Sequence, residues 1–182
     1  MIPRDEAARL LEEQHAEVSA LFAELDEDAF ALRGTMGGGE WSAKDLAAHL
    51  GLWEEFALAT IDEFGRGERP AIERRYESQT GDQLNDEGVE RFLHASTPDV
   101  MTRFDDLHRR LISAIGSTSD DAWSAEYPFD PDDATLGERI GSLLGSDAGG
   151  FTTRPRTWTT CAPTSTRPGA EGSRGCRASG GA

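Results

Sequence analysis

Large apolar side chains recur three and four positions apart along most of the chain, with polar residues between them. Leu11, His15, Val18, Phe22 and Leu25 share one face of a helix running from about Pro3 to Leu25, with Pro3 suited to its first turn. A second stripe is Leu46, His49, Leu50, Trp53, Ala57, Ile61 and Phe64. It starts at Ser42, where Ser42 and Asp45 have capping-box spacing and Trp41 and Leu46 the spacing of a hydrophobic staple; "GRGERP" closes it. A third helical region spans about Asn85 to Ile115 and is re-capped at "STPD", with Thr97 as cap and Pro98 in the first turn. Its stripe is Val100, Phe104, Leu107, Leu111 and Ile115, and Gly116 follows as a stop. A fourth helix opens at "TLGERIGSLLG", with Thr135 and Glu138 at capping spacing and Leu136, Ile140, Leu143 and Leu144 on one face. No stretch alternates as a strand does. The pattern predicts an all-α fold, an antiparallel up-and-down four-helix bundle whose fourth helix is cut short.

Composition changes the picture at one place. Residues 1–150 hold 33 acidic and 13 basic side chains, whereas residues 151–182 hold one acid, Glu171, and five arginines. That last segment also carries seven threonines, three prolines and five glycines, with Phe151 and Trp158 as its large apolar residues. It has no helical or strand period and reads as a disordered tail behind a single domain of residues 1–150. The whole chain has a formal charge of −16, which excludes the basic footprint that a nucleic-acid partner requires and otherwise serves solubility. No apolar run suits a membrane span, and the N-terminus lacks the basic-then-apolar order of a secretory signal, so the expected location is cytoplasmic. Cys161 and Cys176 form no CxxC and imply no disulfide framework.

The candidate chemistry lies in the histidines. His49 stands on an apolar face, three residues after Leu46 and four before Trp53. It is either a satisfied core imidazole or a metal ligand projecting into a bundle whose facing helices supply the rest. A catalytic metal would need three protein ligands and an open position. His15 also lies on an apolar stripe, and His108 flanks one, four residues after Phe104; with His94 they are weaker candidates of the same kind. No two of the four histidines stand four apart on one helix. Glu54, Glu55 and Asp147 are available carboxylates, read as solvated in so acidic a chain. There is no defensible Ser-His-Asp order and no active cysteine. "GGGE" at 37–40 precedes a helix cap instead of following a strand, so it is no phosphate loop.

The string "GGGEWSAKDLAAHLGLWEEF" resembles the second helix of the DinB-like superfamily. That superfamily includes the metal-binding domain of mycothiol-dependent maleylpyruvate isomerases and the colibactin-resistance (ClbS-like) proteins. The likeness rests on Trp41, Ser42, Lys44, Asp45, Leu46, His49 and Leu50, and in helix order it extends over roughly residues 5–150. It implies an antiparallel four-helix bundle, a divalent metal such as zinc or nickel, and a small-molecule substrate for a transferase, isomerase or hydrolase, with a low-molecular-weight thiol as a further cofactor. One metal ligand of the family comes from the second helix, where His49 matches. The others are a His/Glu-x-x-x-His pair in the fourth helix, for which this chain has no counterpart: no histidine follows His108. On this likeness His49 is the metal ligand and the metal site is incomplete. The competing class is a non-enzymatic bundle that binds a small molecule or a partner. A curtailed fourth helix would also bare apolar stripes and favour self-association, a homodimer among other forms.

The break near Gly150 has the signature of a reading-frame shift. Codons made from the third base of one residue and the first two of the next give Leu, Val or Met at Thr157/Trp158 and at Thr160/Cys161. With a TCN serine codon, Thr164/Ser165 gives another apolar residue, so apolar positions fall three and four apart, a helical period that the tail itself lacks. Thr152/Thr153 and Arg156/Thr157 each permit histidine, four positions apart. Sequencing the coding DNA around residue 150 should show a shifted frame that stays open and encodes a helix; early stop codons there would end this reading.

Overall fold

The computed structural model describes residues 2–36 and 40–145. Among the described residues eight helices follow one another: α1 (Arg4–Ala23), α2 (Glu27–Ala31), α3 (Ala43–Gly65), α4 (Ala71–Tyr76), α5 (Gly81–Arg91), α6 (Thr97–Ser117), α7 (Asp120–Trp123) and α8 (Leu136–Leu143). Among the described residues there are two isolated bridges, Met36 with Trp41 and Glu126 with Thr135, and no strand, so the all-α expectation holds. The tail 151–182, Asp147 and the break near Gly150 lie outside the described residues.

Local chemistry sets the helix starts. Ser42 Oγ accepts from the Asp45 amide at 3.1 Å, and Asp45 Oδ2 accepts from the Ser42 amide at 2.9 Å. This capping box is buried, satisfying otherwise orphaned donors away from water. Thr80 with Gln83 makes a second box at the head of α5, and Thr135 accepts from the Glu138 amide at the head of α8. The α6 cap is Ser96, not Thr97: Ser96 Oγ accepts from the Asp99 amide at 3.2 Å and donates to Asp99 Oδ2 at 2.6 Å, which starts the helix one residue earlier than the spacing of apolar residues suggests. The third helical region divides into α5 and α6. The short helices α2, α4 and α7 were not expected, because five, six and four residues are too few to display a period.

Helix α3 packs along α6, α1 lies on α6, and α8 and α5 close on α3. The core has two principal apolar clusters. One joins Ala7, Leu10 and Leu11 of α1 to Ala57, Leu111, Ile115, Trp123, Leu136 and Ile140. The other joins Phe22 and Phe30 to Ala43, Leu46, Ala47, Ala48, Val100 and Phe104. A buried guanidinium fixes α8 in place. Arg139 donates to Glu73 Oε1 of α4 at 2.9 Å and to Asp130 and Asp133 at 2.8 and 3.2 Å, and Tyr127 also donates to Glu73, at 2.7 Å.

Two glycines predict opposite responses to the same substitution. A Cβ on Gly137 would lie 2.5 Å from Nε1 of Trp123, whose ring is held by donation to the Ile2 carbonyl at 3.1 Å; a Cβ on Gly116 would meet nothing within 4 Å. Gly137→Ala should therefore lose about 1–3 kcal/mol to overpacking despite alanine's better helix propensity. Gly116→Ala should gain up to about 1 kcal/mol. Urea unfolding of both variants measures the difference in sign.

Candidate metal centre

Each of three long helices carries a polar residue at a level between the two apolar clusters. On α1, His15 falls between Leu11 and Phe22; on α3, Glu54 falls between Ala48 and Ala57; on α6, His108 falls between Phe104 and Leu111. Packing of α3 and α1 against α6 brings the three together, with one ligand-capable atom of each within 4.8 Å of the others. Glu54 and His108 are buried and His15 is half-buried.

Hydrogen bonds orient the group. His108 Nδ1 lies 2.8 Å from Glu54 Oε1, and His15 Nε2 lies 3.1 Å from Asp105 Oδ1. The two imidazoles stack with centroids 3.9 Å apart and planes 10° from parallel, and His15 also stacks on Phe104 at 4.4 Å. Two buried atoms of the group have no partner, His15 Nδ1 and Glu54 Oε2. Burial, followed by repulsion from His108, lowers the pKa of His15, with Asp105 opposing. Burial likewise raises the pKa of Glu54, with the His108 hydrogen bond opposing. His15 and Glu54 are thus both drawn toward their neutral forms.

His49 sits on α3 in a different environment and is not a member of this group. Its ring lies between Trp41, at 4.9 Å, and Trp53, at 6.3 Å, and its Nδ1 is buried without a partner. Trp53 Nε1 donates to Asn85 of α5 at 2.8 Å, which places α5 over this face. Burial pushes the His49 pKa down to about 4, against a smaller raising effect of Asn85. The imidazole is therefore neutral at pH 7, the form that ligates a metal. Among the described residues no carboxylate, thiol or second imidazole forms a ligand group with it. His94 is exposed. Glu55 lies on the surface and pairs with Arg91 and Arg103, whereas Glu54, read as solvated from the sequence, is buried. Acidic composition hid Glu54; the signal that could have marked it is its place one residue after Trp53 on the flank of an apolar stripe.

The His49 shift has a stability consequence. In the unfolded chain His49 takes up a proton from about pH 6.5 downward, and in the fold only near pH 4. The unfolded state then binds more protons across that window, so stability falls as the pH drops through it, by at most about 3 kcal/mol from this residue. In metal-free buffer, His49→Gln should flatten the fall in urea midpoint between pH 6.5 and 4; parallel curves for variant and parent would show that burial does not shift this group.

Among the described residues no helix is long and apolar enough to cross a membrane. No curated protein and no solved structure gives a significant match to the chain. The model of the DinB superfamily, however, matches residues 10–145, a span that takes in His15, His49, Glu54 and His108. That match covers well over half of the chain, and on this ground the chain belongs to the DinB superfamily.

Proposed function

We propose that the chain is a DinB-type domain of the metal-dependent transferase, isomerase or hydrolase class, acting on a small molecule, in which the family's metal position is represented by His49 and is incomplete. The observation that carries this reading is the His49 imidazole itself: neutral, with a buried and unpartnered Nδ1, and without a ligand partner among the described residues. The donor fits a zinc or nickel ion, but one neutral imidazole does not hold a divalent cation against water. A complete site would supply Lewis acidity, lowering the pKa of a bound water or of a low-molecular-weight thiol. The proposed frame shift near Gly150 accounts for the missing pair. Helix order supports an antiparallel, up-and-down arrangement of α1, α3, α6 and α8, and the acidic surface disfavours nucleic acid as a partner.

A second reading, a non-enzymatic bundle that binds a small molecule, draws on the two indoles flanking His49. In that case His49 is a half-buried polar residue between two indoles.

Calorimetric titration of metal-free protein with Zn²⁺ or Ni²⁺ tests the first reading. No submicromolar, stoichiometric site should depend on His49. Appearance of one that His49→Ala abolishes would show that the family position is complete in this polypeptide.

A further inference from the structure

We propose that His15, Glu54 and His108 form a second divalent-cation site, of zinc type, separate from His49. The set is two imidazoles and one carboxylate from three helices, a donor combination that binds zinc with one coordination position left open. On α3, Glu54 follows His49 by five residues, which turns it about 140° around the helix axis. The carboxylate faces α6 and α1, while His49 faces Trp41, Trp53 and α5, so one ion does not serve both.

The hydrogen bonds settle which atoms are free. Asp105 accepts from His15 Nε2, and this fixes the tautomer with a lone pair on Nδ1. That lone pair is buried and unpartnered, and so is Glu54 Oε2. Two buried acceptors without a donor are costly unless something electropositive satisfies them. A water can donate to both acceptors; a divalent cation satisfies both as well, and the set of two imidazoles and one carboxylate matches zinc in donor type. Asp105 then plays the part of the outer carboxylate that orients a metal-bound histidine.

Ligand atoms lie within 4.8 Å of one another, against about 3.4 Å between ligands around a tetrahedral zinc. Loading the site therefore draws the side chains inward and turns the parallel imidazoles out of their stack. The His15 and Asp105 side chains are 16% and 52% exposed, so an ion has a route from solvent along the α1–α6 groove.

The test uses the full chain, stripped of metal and titrated with Zn²⁺ by calorimetry and with Co²⁺ by visible absorption. The expected result is one site per chain, with the Co²⁺ spectrum of a four-coordinate ion. Glu54→Gln, which keeps the shape and removes the charge, and His108→Ala should each weaken binding by more than about 100-fold, and Asp105→Asn by about 10- to 100-fold. His49→Ala should leave the site unchanged. Circular dichroism confirms that each variant is folded; if His108→Ala is not, Glu54→Gln and the imidazole NMR shifts of the parent protein decide. Absence of stoichiometric binding to the folded parent would mean that water fills the gap and would overturn the proposal, as would affinity unaltered by Glu54→Gln. Binding abolished only by His49→Ala would overturn this proposal and the incomplete-site reading together, whereas loss on Glu54→Gln alone leaves the latter intact.

Discussion

The hydrogen bond between Glu54 and His108 sets how α3 lies along α6. On one side of it Ala43, Leu46, Ala47 and Ala48 meet Val100 and Phe104; on the other Ala57 meets Leu111 and Ile115. A slip of one turn would leave a buried carboxylate opposite an apolar side chain and a buried imidazole opposite another. Each stranded group would cost about 1–3 kcal/mol or more, which is large against a stability of about 5–15 kcal/mol. The apolar stripes alone tolerate such a slip, since leucine and alanine faces pack in several registers. The polar pair does not, and α1 joins the same level through His15.

The chain buries polar groups in two ways. Around Arg139 the guanidinium meets Glu73, Asp130 and Asp133, and Tyr127 and Ser142 occupy further acceptor positions. One guanidinium is shared there among three carboxylates, and the consequence is structural: α8 is tied to α4 and to the loop before it. Around His108 the arrangement differs. Asp105 and Glu54 each take one imidazole N–H, and an acceptor on each of His15 and Glu54 is left over. The group left over at Arg139 is a donor beside three carboxylates, whereas the groups left over at His15 and Glu54 are buried acceptors, which retain the capacity to bind something electropositive.

Periodicity and capping chemistry were enough to locate the three long helices and the start of α8 from sequence. The Ser42/Asp45 box stood where its spacing placed it, and the stripe Val100, Phe104, Leu107, Leu111 is buried throughout. The short helices were not legible, because a single turn shows no period and is held by its cap and its contacts. The site was legible in parts. His15 lies on an apolar stripe and His108, four residues after Phe104, flanks one, so both stood only as weaker candidates beside His49. What no one-dimensional pattern supplies is the relative height of α1, α3 and α6, and that height alone brings His15, Glu54 and His108 together. Composition then misdirected the reading of Glu54, since acidic abundance says that most carboxylates are solvated but not which one is not.

Helix α3 thus carries two polar stations on different faces. His49 projects among the indoles beneath α5, and Glu54 projects into the layer shared with α1 and α6. Superfamily membership bears on the first, through the motif around Trp41 and Asp45, and is silent on the second. The two stations also differ in what completes them. On the function proposed above, His49 depends on ligands from elsewhere in the chain, so that a change to the fourth helix would remove its partners. The His15–Glu54–His108 layer draws on α1, α3 and α6, and among the described residues the fourth helix contributes none of its donors. On that proposal, a chain that loses the end of its fourth helix would lose the His49 position first and keep the inner layer, because the packing of α3 on α6 holds that layer together.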